Sequence, residues 1–511
     1  MGRPNQDTSA TALETLHPFL LLVLGSALIM LLPAAHALQA GDRAVAQAFL
    51  TASLGVAVLA ITVILATVGR PPRSTGTGLT MLPLTFLGLP VFLAAPLALA
   101  LPTVTPLQSY FEMLSCLTTT GATLFDRPAE VPATIHLWRG MVGWLGGFVF
   151  LVAALAILEP LKIGGFELEE TIGTGRSALR RTAFGALQVN RRILRFVRLV
   201  AVPYATLTGA LLLGLLTAGE EPLTALIHAL STLSTSGISP LDSPSAAESG
   251  RWGEVLIFLF LFAAVTQKAF RAFWNRELTL VRATDPEFKI ALVLVVGMSI
   301  LIVLRHFFGA IDVDAQDDLT AVLRALWGSA FTALSYLTTM GFESLDWEES
   351  RRWSGLDTPG LILLGLAVMG GGIATTAGGV KLLRVYALYK HGAREMSRLV
   401  HPNSVGGAGM TARRIRREGA AVAWVFLMLF ILGIAVSLLA LTLAGQEFDV
   451  ALALSVAALT NTGPAAYALD TGVRLIEVSG ATKIVLCAAM VVGRLEALVV
   501  ISLLNPGYWR G

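Results

Sequence analysis

Long apolar runs alternate with short polar connections along almost the whole 511-residue chain. Runs of about 20 residues or more, the length that crosses a hydrocarbon core, cover 17–38, 45–69, 77–100, 136–160, 196–218, 252–272, 289–308, 357–389, 419–444 and 480–504. They fall into pairs. Inside each of the last four pairs lies a shorter helix-like stretch, at 107–118, 223–234, 322–338 and 450–460. None of these is long enough to cross. Each ends in one recurring phrase: LTTTGAT (117–123), LSTSGIS (233–239), LTTMGFE (337–343) and LTNTGPA (459–465). The intervals between Gly121, Gly237, Gly341 and Gly463 are 116, 104 and 122 residues. That is too long for a solenoid repeat and fits two spans plus a half-dipping loop.

The pattern predicts an all-α polytopic membrane protein of ten transmembrane helices. Four span–re-entrant loop–span quarters would surround one pore, with an accessory N-terminal pair of spans. The expected boundaries are 1–75 for the accessory pair, 76–192, 193–284 and 285–412 for the first three quarters, and 413–511 for the fourth.

Composition fits only that class. Hydrophobic residues make up 55% of the chain and charged residues 14%, too little charge to cover a soluble protein of this size. Two cysteines, Cys116 and Cys487, exclude a disulfide framework and a thiolate zinc site. The seven histidines show no ligand spacing; His136 and His228 are expected near the outer interface and His401 in a cytoplasmic loop. Ala35-His36-Ala37 resembles a signal-peptidase site, but Asp7, Glu14 and the length of the apolar run favour a retained first span.

The net charge of +3 matters less than its placement. Lys162 to Arg198, Lys268 to Lys289 and Arg394 to Arg417 make basic connections after the fourth, sixth and eighth spans, and Arg70 and Arg73 follow the second. Asp312, Asp314, Asp317 and Asp318 precede the third phrase, and Glu343, Asp346, Glu348 and Glu349 close or follow it. The positive-inside rule therefore puts both termini in the cytoplasm and makes all four phrases enter from outside.

Irregular backbone at membrane depth survives only where it is buried in protein or lines a watery cavity. Four such segments at one axis can offer carbonyl oxygens in place of a monovalent cation's water shell. The expected filter is Thr119, Thr120 and Gly121; Thr235, Ser236 and Gly237; Thr339, Met340 and Gly341; and Asn461, Thr462 and Gly463. Glycine frees the backbone angles, and hydroxyls add oxygens. The near absence of carboxylates favours a monovalent ion over calcium. The C-terminal ends of the short helices would add a field attractive to cations.

Residues 357–389 as one helix would reach about 50 Å against a core of about 30 Å. Gly370, Gly371, Gly372, Thr375, Thr376, Gly378 and Gly379 fall in its middle and predict a broken helix, a movable barrier beneath the filter. Arg494 lies deep in the last span. A lone charge there needs carbonyls, a carboxylate or a cavity, and the 370–379 loop offers carbonyls. A glycine-rich packing face is the alternative for the loop.

In combination, FEMLSCLTTTGAT (111–123), WLGG (144–147), LTTMGF (337–342), GGGIATTAGGVKLLR (370–384), RLVHPNSV (398–405), LTNTGP (459–464) and GRLE (493–496) resemble the Trk/Ktr/HKT superfamily of potassium transporters, and within it the TrkH subunits of bacterial Trk systems. The resemblance spans nearly the whole chain. It implies potassium uptake across the cell inner membrane and a homodimer with one pore per subunit. It also implies a cytoplasmic nucleotide-binding regulatory partner of TrkA type, a gating loop at 370–379 and a gate-contacting arginine at Arg494. Potassium would be the transported ion at the filter residues. No cofactor is expected on this chain, since no strand-preceded phosphate loop occurs; membrane lipid is an expected partner and nucleic acid is not. Asn461 replaces the usual Thr, Met340 replaces a hydroxyl residue, and Ala457 stands where the other phrases have Ser115, Ser231 and Ser335. These departures bear on preference for potassium over sodium.

Three function classes compete. A channel-like uptake protein needs only the filter and the membrane potential. A sodium-permeable or ion-coupled carrier would show inverted repeats and acidic residues at mid-membrane. A membrane enzyme would need a nucleophile–base pair or metal ligands at depth. The pattern favours the first.

Overall fold

The computed structural model describes residues 16–67, 77–159, 186–241, 246–266, 285–309, 319–355, 359–401 and 410–496, and among these the regular structure is helical. Among the described residues, seven helices are long and apolar enough to cross a membrane: Pro18–Gln39, Arg43–Thr67, Thr80–Ala100, Ala133–Leu158, Val189–Thr217, Pro286–Arg305 and Ala420–Leu443.

The N-terminal pair is a hairpin. α1 (Pro18–Ile29) and α2 (Leu31–Gln39) pack on α3 (Arg43–Thr67). Ser53 Oγ donates to Ala27 O at 2.7 Å, which satisfies a hydroxyl where no water is available. His36 Nδ1 lies 2.8 Å from Thr134 Oγ1, and the Phe49 ring meets Trp138 edge-on at 5.7 Å. These contacts fasten the hairpin to the first quarter. Leu54, Leu65, Val202, Val293 and Leu432 are exposed, an outward apolar belt suited to lipid.

The outer span of the first quarter is α4 (Thr77–Pro83), a π turn (Leu84–Gly88), α5 (Leu89–Leu93) and α6 (Ala95–Ala100). Pro83, Pro90 and Pro96 remove amide donors at these breaks. The short helix α7 (Pro106–Leu117) follows, with Pro at its start and a reciprocal Thr105–Gln108 capping box. α8 (Ala133–Ala153) returns and ends in a second π turn, Ala154–Leu158. The second quarter has α9 (Ala186–Thr217), α10 (Pro222–Ser234) and α11 (Gly250–Val265). The third has α12 (Pro286–Gly309), α13 (Leu319–Leu337), an outer amphipathic helix α14 (Trp347–Ser354), α15 (Gly360–Met369) and α16 (Leu382–Val400). The fourth has α17 (Met410–Leu443), α18 (Phe448–Thr460) and α19 (Gly480–Leu495).

Two return helices, α11 and α19, end short of the expected spans, while 357–389 is broken at the glycines as expected. α11 stops at Thr266, whose backbone is extended, and 267–272 lie outside the described residues. α19 stops at Glu496, at φ 62°, and 497–504 lie outside them too. The expected span 357–389 is two helices joined by an irregular 370–381 segment, and 357–358 are not described. The basic connections 162–181 and 268–282 and the acidic run 312–318 also lie outside the described residues.

Candidate functional site

Each short helix ends the same way. The N–H of Thr119, Thr235, Thr339 and Asn461 donates to the carbonyl of Cys116, Thr232, Tyr336 and Ala458, respectively. The next N–H, of Thr120, Ser236, Met340 and Thr462, reaches back to Ser115, Ser231, Ser335 and Ala457. This is the Schellman arrangement, whose first residue beyond the helix must be left-handed and is usually Gly. Here it is threonine three times, at φ 55°, 51° and 59°, and asparagine once, at φ 55°. A β-branched residue in that region is strained; asparagine tolerates it.

Two residues on, Gly121, Gly237 and Gly341 take φ 74°, 64° and 79°. The four phrases meet in a ring. A β-carbon on Gly121 would fall on the Ser236 carbonyl, and one on Gly237 on the Met340 carbonyl. On Gly341 it would lie 2.8 Å from Pro464 Cβ. Gly463 closes the circuit against Thr120 O and Ala122 N. Its own N–H donates to Thr120 O at 2.5 Å, and Asn461 Nδ2 donates to Thr120 Oγ1 at 3.0 Å. Gly463 has no left-handed φ and begins a 3₁₀ turn, Gly463–Tyr467, so the fourth quarter departs from the other three. All twelve sequence-derived filter residues are brought together here. The hydroxyls of Thr120, Ser236 and Thr462 lie 2.8–3.0 Å from those of Thr118, Ser234 and Thr460. They brace the turns from behind.

The segment rising from each glycine is held by a different group at one equivalent helix position. Glu112 accepts from Leu124 N and Thr123 Oγ1, both at 2.9 Å, and pairs with Arg139 Nε at 2.6 Å, with both side chains buried. His228 Nε2 lies 3.0 Å from Ser239 Oγ, and Thr332 Oγ1 accepts from Ser344 N at 3.2 Å. Leu454 occupies the fourth position. His136 and His228 are both buried, His136 Nε2 lying 2.9 Å from Pro128 O. Glu254 of α11 accepts from Leu345 N, Ser344 Oγ and Trp327 Nε1, so the second quarter holds the third. Outside the ring a cavity of 460 Å³ is lined by Gly121, Gly237, Gly341, Pro464 and the charged Asp126 and Glu343. Arg474 there donates to Asp126 at 2.9 Å.

The 370–381 segment lies against the inner side of this ring. Gly378 N donates to Thr339 Oγ1 at 2.8 Å, and Thr376 Oγ1 to Leu233 O at 3.3 Å. A β-carbon on Gly378 would fall on Thr460 O, and Gly372 N donates to Ala264 O at 3.2 Å. Gly370 and Gly379 need their left-handed φ of 72° and 75° to pack on each other. Thr375 Oγ1 donates to Gly372 O at 2.7 Å, and Gly371 packs on Ala377. Beside the segment a void of 20 Å³ remains, about one water.

Arg494 donates through Nη1 to Thr376 O at 2.6 Å and lies over the Phe150 ring at 3.9 Å. The segment's own Lys381 and the nearby Glu287, Arg384 and Glu496 are charged and buried, and the phrase and glycine patterns assign none of them a role. Glu287 accepts from Ile373 N at 2.9 Å. Lys381 Nζ donates to Ala377 O. Arg384 pairs with Glu496 at 2.8 Å, both buried, and stacks over Phe426 at 3.6 Å. The signal was present: an ionisable residue inside an apolar span is expensive unless paired. Their partners were invisible because each lies more than 80 residues away or across a turn.

Among the described residues no three His, Cys, Asp or Glu side chains gather as metal ligands. A family model described as "TrkH: Cation transport protein" matches residues 57–505. The chain is 30% identical to the Trk system potassium uptake protein TrkH of Salmonella typhimurium over 422 residues, 80% of each chain. It is 29% identical to that of Halomonas elongata over 427 residues, 83% of each. The crystal structure of the potassium transporter TrkH from Vibrio parahaemolyticus superposes with a TM-score of 0.78 at 25% identity, covering 98% of this chain and all of that one.

Proposed function

The chain belongs to the TrkH family of cation transport proteins, a family of membrane transporters and not of enzymes, and on that premise we propose that it takes up potassium through a channel-like pore. Ten spans form the five units 1–75, 76–192, 193–284, 285–412 and 413–511, with both termini cytoplasmic. Backbone carbonyls of the ring around Gly121, Gly237, Gly341 and Gly463 replace the ion's water. The negative interior drives entry: at about 100 mV one charge gains ~2.3 kcal/mol. The 370–379 segment with Arg494 is the gate. The working assembly is a homodimer in the inner membrane with a cytoplasmic nucleotide-binding partner of TrkA type.

The observation that carries this reading is the closed circuit of four left-handed caps and close-packed glycines. No charged side chain is among the groups that the four glycines pack against, which are backbone carbonyls and amides and the Pro464 ring. The Arg494–Thr376 bond supports the gate. The test is rubidium uptake into liposomes carrying the purified protein, with and without the partner and nucleotide. Competition by potassium and not by sodium is expected. Equal competition would discard the selectivity, and no flux even with the partner would turn the reading toward an ion-coupled carrier.

A further inference from the structure

A separate cavity, of 230 Å³, shares no lining residue with the 460 Å³ one and lies where α1, α4, α8 and α9 meet with both π turns at its edge. Thirteen of its fifteen lining residues are apolar, among them the buried Met81, Val152 and Ile193, while Leu21 and Leu194 at its rim are half-buried. It exceeds the roughly 150 Å³ of an apolar void that stays dry and takes up small hydrophobic molecules. Thr85 and Asn190 are the two polar residues in this wall, and among the described residues Thr85 is the one without a partner. Its side chain is 1% exposed, and its Oγ1 has no hydrogen-bond partner among the described residues. A helical threonine normally satisfies that hydroxyl on a carbonyl three or four residues back; the π turn Leu84–Gly88 alters that spacing. A buried hydroxyl in the wall of an apolar void is costly unless something polar reaches it.

The cavity's walls are membrane spans, so the molecules that can reach its rim are lipids. Asn190 lies in its lining, and Arg191, Arg192, Arg195 and Arg198 follow within about two turns of α9. Arg191, Arg195 and Arg198 are exposed. Basic residues beside an inter-helix cleft suit an anionic headgroup. We propose that this cavity holds an acyl chain of an anionic phospholipid, whose ester region reaches the Thr85 hydroxyl and whose phosphate meets the arginines of α9. The bound lipid then wedges the accessory hairpin against the first two quarters.

The test uses the full-length protein in liposomes with a photoactivatable phosphatidylglycerol bearing a diazirine in its acyl chain. Peptides carrying Met81, Val152 and Ile193 should be labelled. Excess phosphatidylglycerol should compete and phosphatidylcholine should not. Ala153→Phe, which fills the cavity, should lose this labelling, and Arg195→Gln with Arg198→Gln should weaken competition by the anionic lipid. Labelling confined to outward faces such as Leu54 and Leu65 would overturn the proposal, as would equal competition by the neutral lipid. If the Ala153 variant does not fold, the wild-type labelling map and the lipid competition decide.

Discussion

At Thr119, Thr235 and Thr339 the backbone is forced left-handed on a residue that resists it, and this strain is the most local signature of function in the chain. Thr235 has a single side-chain bond, to its neighbour's carbonyl, so it reports strain with little else attached. Thr235→Asn should raise the thermal midpoint in detergent, by a relief of about 1 kcal/mol; an unchanged or lower midpoint would mean the turn stores no strain. The glycines carry the opposite constraint. Gly341→Ser would press a side chain against Pro464 at 2.8–3.1 Å from a left-handed position. The variant should assemble but lose roughly tenfold, or ~1.4 kcal/mol, of its preference for potassium over sodium in the rubidium assay. Unchanged competition would move the filter off this register. The glycines were legible in the sequence because the phrase recurs. The strained residues two places earlier were not, since threonine predicts no left-handed turn. Asn461 looked like a departure from the pattern, and it is the residue best suited to its angle.

Between elements, the decisive feature is that three of the four return segments break or end early, at Thr266, Gly370 and Glu496, while the first quarter's return helix runs unbroken to Leu158. Length and the glycine run exposed this for 357–389, while α11 ends at Thr266 and α19 at Glu496 without a glycine run to announce it. The proposed gate segment is then held by hydrogen bonds to the charged Glu287 of α12 and Arg494 of α19, with the Arg384–Glu496 pair beside it. A hydrogen bond to a charged group contributes about 1.5–3 kcal/mol, enough to bias a two-state segment tenfold or more. Arg494→Ala should therefore raise rubidium flux about tenfold; unaltered flux with normal expression would remove Arg494 from the gate. Arg384 and Glu496 answer a different question. Removing either alone strands a buried charge, at a cost of about 3–5 kcal/mol. Arg384→Met with Glu496→Leu should recover most of that. Thermal unfolding of the two single variants and the double variant measures it; additive losses would show that the pair does not couple α16 to α19.

For the whole molecule, the ring runs from the first phrase to the second, third and fourth and back to the first, in chain order. Such an order needs all four phrases to enter from one side, which is what the distribution of Lys and Arg predicts. The chain offers a clean way to test this, because its cysteines, Cys116 and Cys487, are both buried and should be silent to a membrane-impermeant maleimide. Arg127 is exposed next to the 460 Å³ cavity, whose lining includes Asp126 and Pro128. Ser397 is exposed near the end of α16, beyond the gate segment. Arg127→Cys should be labelled on intact cells, and Ser397→Cys only after the membrane is opened. The reverse result would invert the molecule, and with it the direction from which an ion meets the filter before the gate.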